Sequence, residues 1–240
     1  MKIGVLSDIH GNGVALRSVT DDMKKENISK VIILGDVVVK GPMPTEVLEE
    51  LRRYEALAWV KGNTDKWFEE VAEDFLPKTK REEEIYSYLK YAREHMNLKD
   101  ISFINKLPEE DTLKYKGSSI LCVHGTPKSI VEAIDGSVPV DEIKEIIKDV
   151  QEDIILCGHS HCPFIGEVNG KKIFNVGSIG NSLDKDNRAS YGILEFLDDE
   201  VKLINKKVTY PIEDILNLAK EKNFPNLDDY KNIVTCASIE

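Results

Sequence analysis

Two of the five histidines in this 240-residue chain lie one residue apart, in the stretch LCGHSHCP at residues 156–163. Two more, His10 and His124, also follow apolar runs, whereas His95 does not. Neutral imidazole is a common ligand of zinc, iron and nickel. The recurrence of histidine at comparable positions therefore predicts a metal site rather than four incidental side chains.

Five predicted strands each end in Asp, Asn or His, and glycine usually stands beside them. These side chains are Asp8 and His10, Asp36, Asn63, His124, and His159 and His161. In open α/β sheets the carboxyl ends of the strands form the edge at which ligands bind. Glycine at such an edge lets the backbone or a ligand approach closely. We therefore expect the seven side chains to converge on one site.

The seven side chains make a mixed set of nitrogen and oxygen donors, which suits borderline divalent metals. They are too many for one tetrahedral ion and fit two adjacent ions that share a carboxylate. We expect two divalent ions drawn from Mn, Fe, Zn, Ni and Co, with Mn as the leading candidate. Taken singly, Asp8 could cap a helix and Asp36 or Asn63 could belong to a turn, so the prediction depends on the whole set.

The spacing of apolar residues predicts the elements that position these side chains. Strands are expected at residues 2–7, 30–34 and 56–61, with helices at 13–26 and 44–54 between them. Such alternation implies parallel strands joined by crossover helices. Residues 66–107 show no strand pattern and predict a helical insertion or cap, with one helix around Trp67, Phe68, Val71 and Phe75 and another over residues 85–92.

The second half of the chain predicts mainly strands. They lie at residues 112–115, 119–123, 154–157, 164–168, 171–176, 191–196 and 201–208, with helices at 140–150 and 212–222. Asn169-Gly170 is a strong hairpin signal, and Asp198-Asp199 marks a second hairpin. The expected fold is α/β: a two-sheet β-sandwich flanked by helices, in four layers α/β/β/α. One domain is expected to span residues 1–240 and to carry the insertion.

Composition excludes several classes of function. The net charge of −11 repels phosphate backbones and argues against non-specific nucleic-acid binding. No apolar run approaches the roughly 20 residues of a membrane helix, and the N-terminal strand turns polar at Ser7, so we expect a cytoplasmic protein without a membrane partner. The four cysteines form no CxxC pair. A Cys157–Cys162 disulfide is formally possible, but reduced, small, buried cysteines are expected.

Five short blocks of this sequence resemble the calcineurin-like metallophosphoesterase superfamily. They are Asp8-x-His10, Gly35-Asp36, Gly62-Asn63-x-Asp65, His124-Gly125 and Gly158-His159-x-His161, in the order of the family and within about residues 1–180. The segments GDVVVKGPMP at 35–44, HGTP at 124–127, NVGS at 175–178 and RASYGIL at 188–194 are similar to a small prokaryotic branch of phosphodiesterases and dinucleoside tetraphosphatases.

The resemblance implies an activity and a role for each candidate ligand. Asp8, His10 and His161 would hold one metal ion, Asn63, His124 and His159 would hold the second, and Asp36 would bridge them. Asp36, Asn63 and His124 would thereby be catalytic. The implied reaction is attack of hydroxide on the phosphorus of a small phosphorylated substrate, a phosphodiester or a phosphoanhydride, without a covalent enzyme intermediate.

The sequence departs from the family at positions that bear on the substrate. Thr64 stands where many members have histidine paired with the following acid, here Asp65, and threonine is a poor general acid. We therefore expect substrates whose leaving group needs little protonation. Lys40 lies in a loop that usually reads Gly-Tyr-Gly-Pro, and Arg188 precedes the last hairpin. Both are candidate substrate contacts, with a solvated surface role as the alternative.

Three other functions remain open at this point. The chain could hydrolyse dinucleoside polyphosphates or phosphoproteins, or it could be a metal-binding interaction scaffold without turnover. None of the seven predicted ligands is missing, which favours an enzyme. The sequence leaves the oligomeric state open.

Overall fold

The N-terminal part of the chain alternates strands and helices, as its apolar spacing predicts. In the computed structural model, which describes residues 1–198 and 200–238, it forms β1 (Lys2–Leu6), α1 (Gly13–Lys25), β2 (Lys30–Ile33), α2 (Pro44–Leu51) and β3 (Glu55–Trp59). Asn12, rather than Asp8, caps α1: its side-chain oxygen accepts the Ala15 N–H at 3.0 Å. Pro44 is the first residue of α2, where its missing N–H costs nothing.

Three helices follow: α3 (Asn63–Glu70), α4 (Lys80–His95) and α5 (Leu98–Asn105). The prediction of a helix over residues 85–92 is confirmed by α4, whose first turn carries a capping box between Thr79 and Glu82. The prediction that Val71 and Phe75 belong to the preceding helix is wrong, because α3 begins at Asn63 and ends before them. The short helix α5, capped by Asn97, was not predicted separately.

The rest of the chain forms β4 (Glu110–Tyr115), β5 (Ser118–Val123), α6 (Val140–Ile146), β6 (Ile154–Cys157), β7 (Phe164–Val168), β8 (Lys171–Asn175), β9 (Ala189–Phe196), β10 (Val201–Val208), α7 (Ile212–Glu221) and α8 (Leu227–Cys236). The hairpin of β7 and β8 turns at Asn169 and Gly170, which both have positive φ, as predicted. Strands β9 and β10 also pair as a hairpin, although Asp199 of its predicted turn lies outside the described residues. Helix α8 was not predicted.

The strands form two five-stranded sheets, in the orders β10-β9-β1-β2-β3 and β4-β5-β6-β8-β7. In the first sheet β1, β2 and β3 are parallel, and β9 and β10 add antiparallel pairs on one side only. The second sheet is parallel at its centre and antiparallel at both edges. The last hairpin therefore returns to the first sheet, where β9 pairs antiparallel with β1. Because β1, β2 and β3 are parallel, the loops that follow them leave from the same edge.

Apolar side chains on the inner faces press the two sheets together. Val5 and Leu34 of the first sheet share one buried cluster with Leu156 and Phe174 of the second. Helices α1, α2, α4, α7 and α8 contribute to a cluster on the outer face of the first sheet, and α6 covers the outer face of the second. Each fully buried aliphatic side chain contributes about 1.5–3 kcal/mol. The four-layer α/β/β/α sandwich is confirmed, while the single domain over residues 1–240 stays a prediction.

The four cysteines are free. Cys122 and Cys157 are buried, as expected, but the prediction of burial is wrong for Cys162, which is half-buried, and for Cys236, which is exposed. In the part of the chain that the structure describes, no helix is both long and apolar enough to span a bilayer.

Candidate metal centre

The candidate ligands follow the carboxyl ends of β1, β2, β3, β5 and β6, six of them on loops and Asn63 as the first residue of α3. Five of the seven have a left-handed backbone, with φ between 47° and 66°: Asp8, His10, Asp36, His159 and His161. A non-glycine residue in this region is strained by about 1–3 kcal/mol and persists only where its surroundings enforce it. Such strain concentrated at one edge of two sheets is typical of a functional site.

Glycines let the loops approach one another closely. Gly35 has φ +91°, and a Cβ atom there would lie 2.2 Å from the backbone nitrogen of Gly62. A Cβ atom on Gly158 would lie 2.0 Å from Ser7 Oγ and 2.5 Å from Asp8 Oδ2. No side chain fits at such distances, so glycine at these positions allows loops from both sheets to meet.

One group of donors converges around Asp8. Its Oδ1 lies 3.0 Å from His161 Nε2 and 3.7 Å from His10 Nε2. The two Nε2 atoms of His10 and His161 lie 3.2 Å apart. All three side chains are buried, and they form one candidate group of metal ligands.

A second group lies on the other side of Asp36. Asp36 Oδ2 is 3.6 Å from both His10 Nε2 and His124 Nε2, so this carboxylate lies between the two groups. His124 Nε2 in turn lies 3.1 Å from Asn63 Oδ1 and 3.2 Å from His159 Nδ1. Asp8, Asp36 and His124 also lie close enough to hold an ion together. The structure thus brings all seven predicted side chains to one place.

Main-chain oxygens fix the orientation of the imidazoles. Nδ1 of His10 contacts Val39 O at 2.9 Å and Nδ1 of His124 contacts Leu34 O at 2.7 Å, while His161 Nδ1 contacts the oxygen of Asn181. A carbonyl only accepts, so each Nδ1 carries the proton and each Nε2 keeps its lone pair. His159 is reversed: its Nε2 donates to Val131 O at 3.0 Å, and Nδ1 faces the site.

The contacts among the candidate ligands show whether a metal ion fits the site. Lone-pair nitrogens face each other at 3.2 Å with no proton between them, and within residues 1–198 and 200–238 buried Asp8 Oδ1 has no hydrogen-bond donor. Atoms bound to a common ion by bonds of about 2.1 Å stand roughly 3.0–3.4 Å apart. A cation would relieve both the repulsion and the missing bond, so the donor set fits divalent transition metals.

Further hydrogen bonds hold the carboxylates. Asp8 Oδ2 accepts from Ser7 Oγ at 2.6 Å and from the His159 N–H at 3.0 Å, which leaves Oδ1 free to face the site. Asp36 Oδ1 accepts the Thr64 N–H at 2.8 Å, which leaves Oδ2 between the imidazoles. Ser7 was missed as a supporting residue, although a hydroxyl beside a candidate ligand in the sequence was a signal for it.

The acid–base state of the site suits cation binding. Burial opposes ionisation of Asp8, but the imidazoles of His161 and His124 outweigh it and hold the pKa of that carboxyl well below its usual range. The pKa of Asp36 is also lowered, because His124 and His10 outweigh its burial. Burial lowers the pKa of His10 and of His159, which favours the neutral, ligating imidazole. Burial acts in the same direction on His124, but the charges of Asp36 and Asp8 outweigh it and raise the pKa of that imidazole.

The four predicted substrate contacts have different surroundings. Thr64 is fully buried, and its hydroxyl has no partner among the residues described. Asp65 is also buried and accepts the N–H groups of Asp36, Val37 and Gly62, so its carboxylate braces the loops. Burial, and then the charge of Asp36, raises the pKa of Asp65 to about 7.

The two predicted cationic contacts are half-buried or exposed. Lys40 is half-buried with Nζ 5.4 Å from the centre of the Trp67 ring. Arg188 is exposed and forms a salt bridge with Asp186 at 2.6 Å, so its guanidinium is already partnered. A substrate role for these four residues stays a prediction.

Known proteins resemble this chain in sequence and in fold. Residues 1–199 match the calcineurin-like phosphoesterase superfamily domain. The chain is 29% identical over 226 residues to the uncharacterized protein MJ0912 of Methanocaldococcus jannaschii, with 88% of each chain covered. Its fold is similar to that of the hypothetical protein PH1004 from Pyrococcus horikoshii OT3, with a TM-score of 0.85, 20% identity and coverage of 100% and 99% of the two chains. A metallophosphoesterase from Sphaerobacter thermophilus gives a TM-score of 0.78 at 22% identity, with 99% of each chain covered.

Proposed function

This chain belongs to the calcineurin-like phosphoesterase superfamily, and from that premise we propose that it is a dimetal phosphoesterase that hydrolyses phosphodiester or phosphoanhydride bonds. The proposed ligands are Asp8, His10 and His161 for one ion, Asn63, His124 and His159 for the other, and Asp36 for both. Mn is the leading candidate for the metal. A small phosphorylated substrate and a cytoplasmic location belong to the same proposal, and four free cysteines are compatible with that location.

The observation that carries the proposal is the unsatisfied centre of the site. Asp8 Oδ1 is buried without a hydrogen-bond donor in the described part of the chain, and imidazole lone pairs converge on the same space. A buried carboxylate oxygen left in this state is costly unless a cation binds it. Phosphate is the anionic group that a pair of such cations would attract.

In the proposed reaction, the protein's own side chains hold the ions in place and shield the centre from bulk solvent. Divalent ions bound here supply Lewis acidity, which neutralises charge on phosphoryl oxygens and makes water more acidic. The carbonyl contacts fix the imidazole tautomers so that the lone pairs face the centre, and the Thr64 N–H keeps one oxygen of Asp36 turned inward. His159 and Asn63 are half-buried, whereas Asp8, His10 and His124 are fully buried, so solvent reaches the centre from the side of His159 and Asn63.

The substrate preference follows from residue 64. A threonine hydroxyl is a poor general acid, and the enclosure of Thr64 supports a reaction in which no side chain at that position protonates the leaving group. Esters of acidic alcohols and anhydrides meet this condition, whereas alkyl monoesters do not. The charge of Lys40 would pair with a phosphate oxygen in this proposal.

Hydrolysis of bis(p-nitrophenyl) phosphate tests the function. We expect turnover by the full chain with Mn²⁺, loss of turnover with a chelator, and a fall of about 100-fold or more in kcat for Asp36→Asn. His95→Asn is the matched control, because His95 lies in α4 and bonds its own helix at Tyr91 O. The proposal fails if folded wild-type protein takes up metal and hydrolyses no phosphate ester or anhydride.

The same assay separates the competing functions. A scaffold would bind Mn²⁺ stoichiometrically without turnover. A dinucleoside polyphosphate hydrolase or a protein phosphatase would show its highest kcat/KM with those substrates rather than with diesters.

A further inference from the structure

A cavity of about 130 Å³ adjoins the candidate metal centre on its His161 side. His161 and Asn181 line it, and the main-chain oxygen of Asn181 accepts the proton of His161 Nδ1. Tyr88 of α4 and Tyr230 and Ile233 of α8 also line it. The candidate metal ligand His161 therefore bounds one side of the cavity, and helices α4 and α8 bound another.

Helix α8 provides one part of the wall. Helix α8 spans Leu227–Cys236, beyond residues 1–199 that match the superfamily domain. Tyr230 packs its ring against Phe224 with 5.1 Å between ring centres, which fixes the helix against the rest of the cluster. Family membership therefore does not account for this cavity.

The size of the cavity limits what it can hold. A protein cavity of about 150 Å³ binds benzene, so 130 Å³ holds one six-membered ring. A fused two-ring system would not fit without movement of the walls. The apolar parts of Tyr88, Leu183 and Ile233 suit the faces of such a ring.

The polar atoms of the cavity favour a ring that donates hydrogen bonds. Asn181 Oδ1 and the Tyr230 hydroxyl are buried, and neither has a partner in the residues that the structure describes. Exposed Glu84 adds a carboxylate to the lining. The oxygens of Asn181 and Tyr230 are enclosed behind the wall, so the accessible acceptor is the Glu84 carboxylate, which a ring N–H or amino group satisfies better than a plain aryl ring does.

A cationic side chain also lines the cavity. Lys40 lines the same cavity, and Trp67 lies under its ammonium at 5.4 Å from the ring centre. A ligand with its ring in the cavity and its phosphate at the metal centre would pass Lys40. Ring, cation and metal site therefore form one continuous surface.

We propose that the cavity between α4, α8 and Asn181 is the subsite for a single-ring base that donates a hydrogen bond, which makes pyrimidine nucleotide esters the preferred substrates. This inference depends on the proposed phosphoesterase function, which supplies the reaction at the phosphate. It goes further by naming the organic group that the chain selects.

Three esters with the same leaving group isolate the subsite: the p-nitrophenyl esters of thymidine 5′-phosphate, adenosine 5′-phosphate and methyl phosphate. With Mn²⁺-loaded full chain, we expect kcat/KM for the thymidine ester to exceed that for the methyl ester by about tenfold or more, which is the range for filling an apolar pocket. The adenosine ester should gain little over the methyl ester. An adenosine ester preferred over the thymidine ester would overturn the one-ring limit.

Variants in α8 locate the effect. Ile233→Trp fills the cavity and should reduce the ratio of thymidine to methyl ester to about one. Asn232→Trp is the matched control, since Asn232 is exposed on the same helix, and it should leave the kinetics of both esters unchanged. Should Ile233→Trp fail to fold, Glu84→Gln removes the charge of the accessible acceptor and should lower the same ratio.

Calorimetric titration of thymidine, which lacks phosphate, gives a readout apart from hydrolysis. We expect binding to wild-type protein and loss of binding in Ile233→Trp. Equal kcat/KM for the thymidine and methyl esters, with no binding of thymidine, would overturn the subsite and leave the phosphoesterase intact. Binding of thymidine without hydrolysis of any ester would instead overturn the proposed function and retain the subsite.

Discussion

At the scale of single residues, main-chain oxygens rather than side chains set the chemistry of the candidate metal centre. Val39 O, Leu34 O and Asn181 O each take an Nδ1 proton, and Val131 O takes the Nε2 proton of His159. Each contact fixes one tautomer and presents one lone pair. A substitution that keeps the backbone at these four positions should therefore leave the imidazoles ready to ligate.

This dependence on the backbone explains what the sequence could and could not predict about the site. The seven side chains could be named because Asp, Asn and His follow apolar strands beside glycine. The carbonyl partners could not, since every residue has a carbonyl and its side chain does not show where the oxygen points. The partner of Arg188 was also missed, although Asp186 lies only two residues away.

A residue-level prediction concerns two buried tyrosines. The hydroxyl of Tyr230 has no partner in the described structure, whereas the hydroxyl of Tyr191 donates to Asp22 Oδ2 at 2.8 Å. Removing an unpaired buried hydroxyl breaks no hydrogen bond, so Tyr230→Phe should leave the free energy of unfolding unchanged or raise it by up to about 1 kcal/mol. Tyr191→Phe should lower it by about 1.5–3 kcal/mol, because a bond to a charged group is lost.

Urea unfolding of the two variants at one pH measures both changes. A loss of stability in Tyr230→Phe as large as that in Tyr191→Phe would show that the Tyr230 hydroxyl has a partner in solution.

At the scale of elements, the close approach of the β1 and β6 loops decides whether the candidate ligands meet. Ser7 and Asp8 follow β1 of the first sheet, and Gly158 follows β6 of the second. The contact is so tight that a Cβ atom at Gly158 would overlap both Ser7 Oγ and Asp8 Oδ2. Gly158 therefore helps to position the ligand-bearing loops by allowing them to pack closely.

Gly158→Ala should accordingly weaken metal binding. The added methyl group pushes Asp8 from its position, so we expect a loss of about 1–3 kcal/mol in stability and of about 10–100-fold in Mn²⁺ affinity. Gly136→Ala is the matched control, because the nearest heavy atom to its added carbon lies 3.8 Å away. Its stability should change by less than about 0.5 kcal/mol. Urea unfolding and calorimetric Mn²⁺ titration measure the two effects, and equal affinities in both variants would contradict this role of Gly158.

The elements also show where prediction from sequence failed. Strands with continuous apolar runs, such as KIGVL and KVII, were located within about one residue. Helix α8 was missed because its sequence, LDDYKNIVTC, is rich in polar residues and follows Asn226, which has a left-handed backbone. Leu227, Tyr230 and Val234 nevertheless recur at helical spacing, so the signal was present but short.

At the scale of the whole molecule, the candidate metal centre joins the two sheets. Asp8, Asp36 and Asn63 come from the first sheet, and His124, His159 and His161 come from the second. The ions would therefore bind a site that exists only when the sandwich is assembled. The pairing of β9 with β1, which closes the first sheet, involves residues nearly 190 positions apart, and no local pattern could have predicted it.

Metal should therefore stabilise the entire fold. An ion at 100 times its dissociation constant adds about 2.7 kcal/mol per site, and a chain of this size gains about 2–4 °C in Tm per kcal/mol. We expect saturating Mn²⁺ to raise the Tm of wild-type protein by about 10–20 °C relative to chelated protein in differential scanning calorimetry. Asp36→Asn should lose most of this shift, because it removes the carboxylate between the two groups, while His95→Asn should keep it. Equal shifts in wild type and Asp36→Asn would show that any ion binds elsewhere on the molecule.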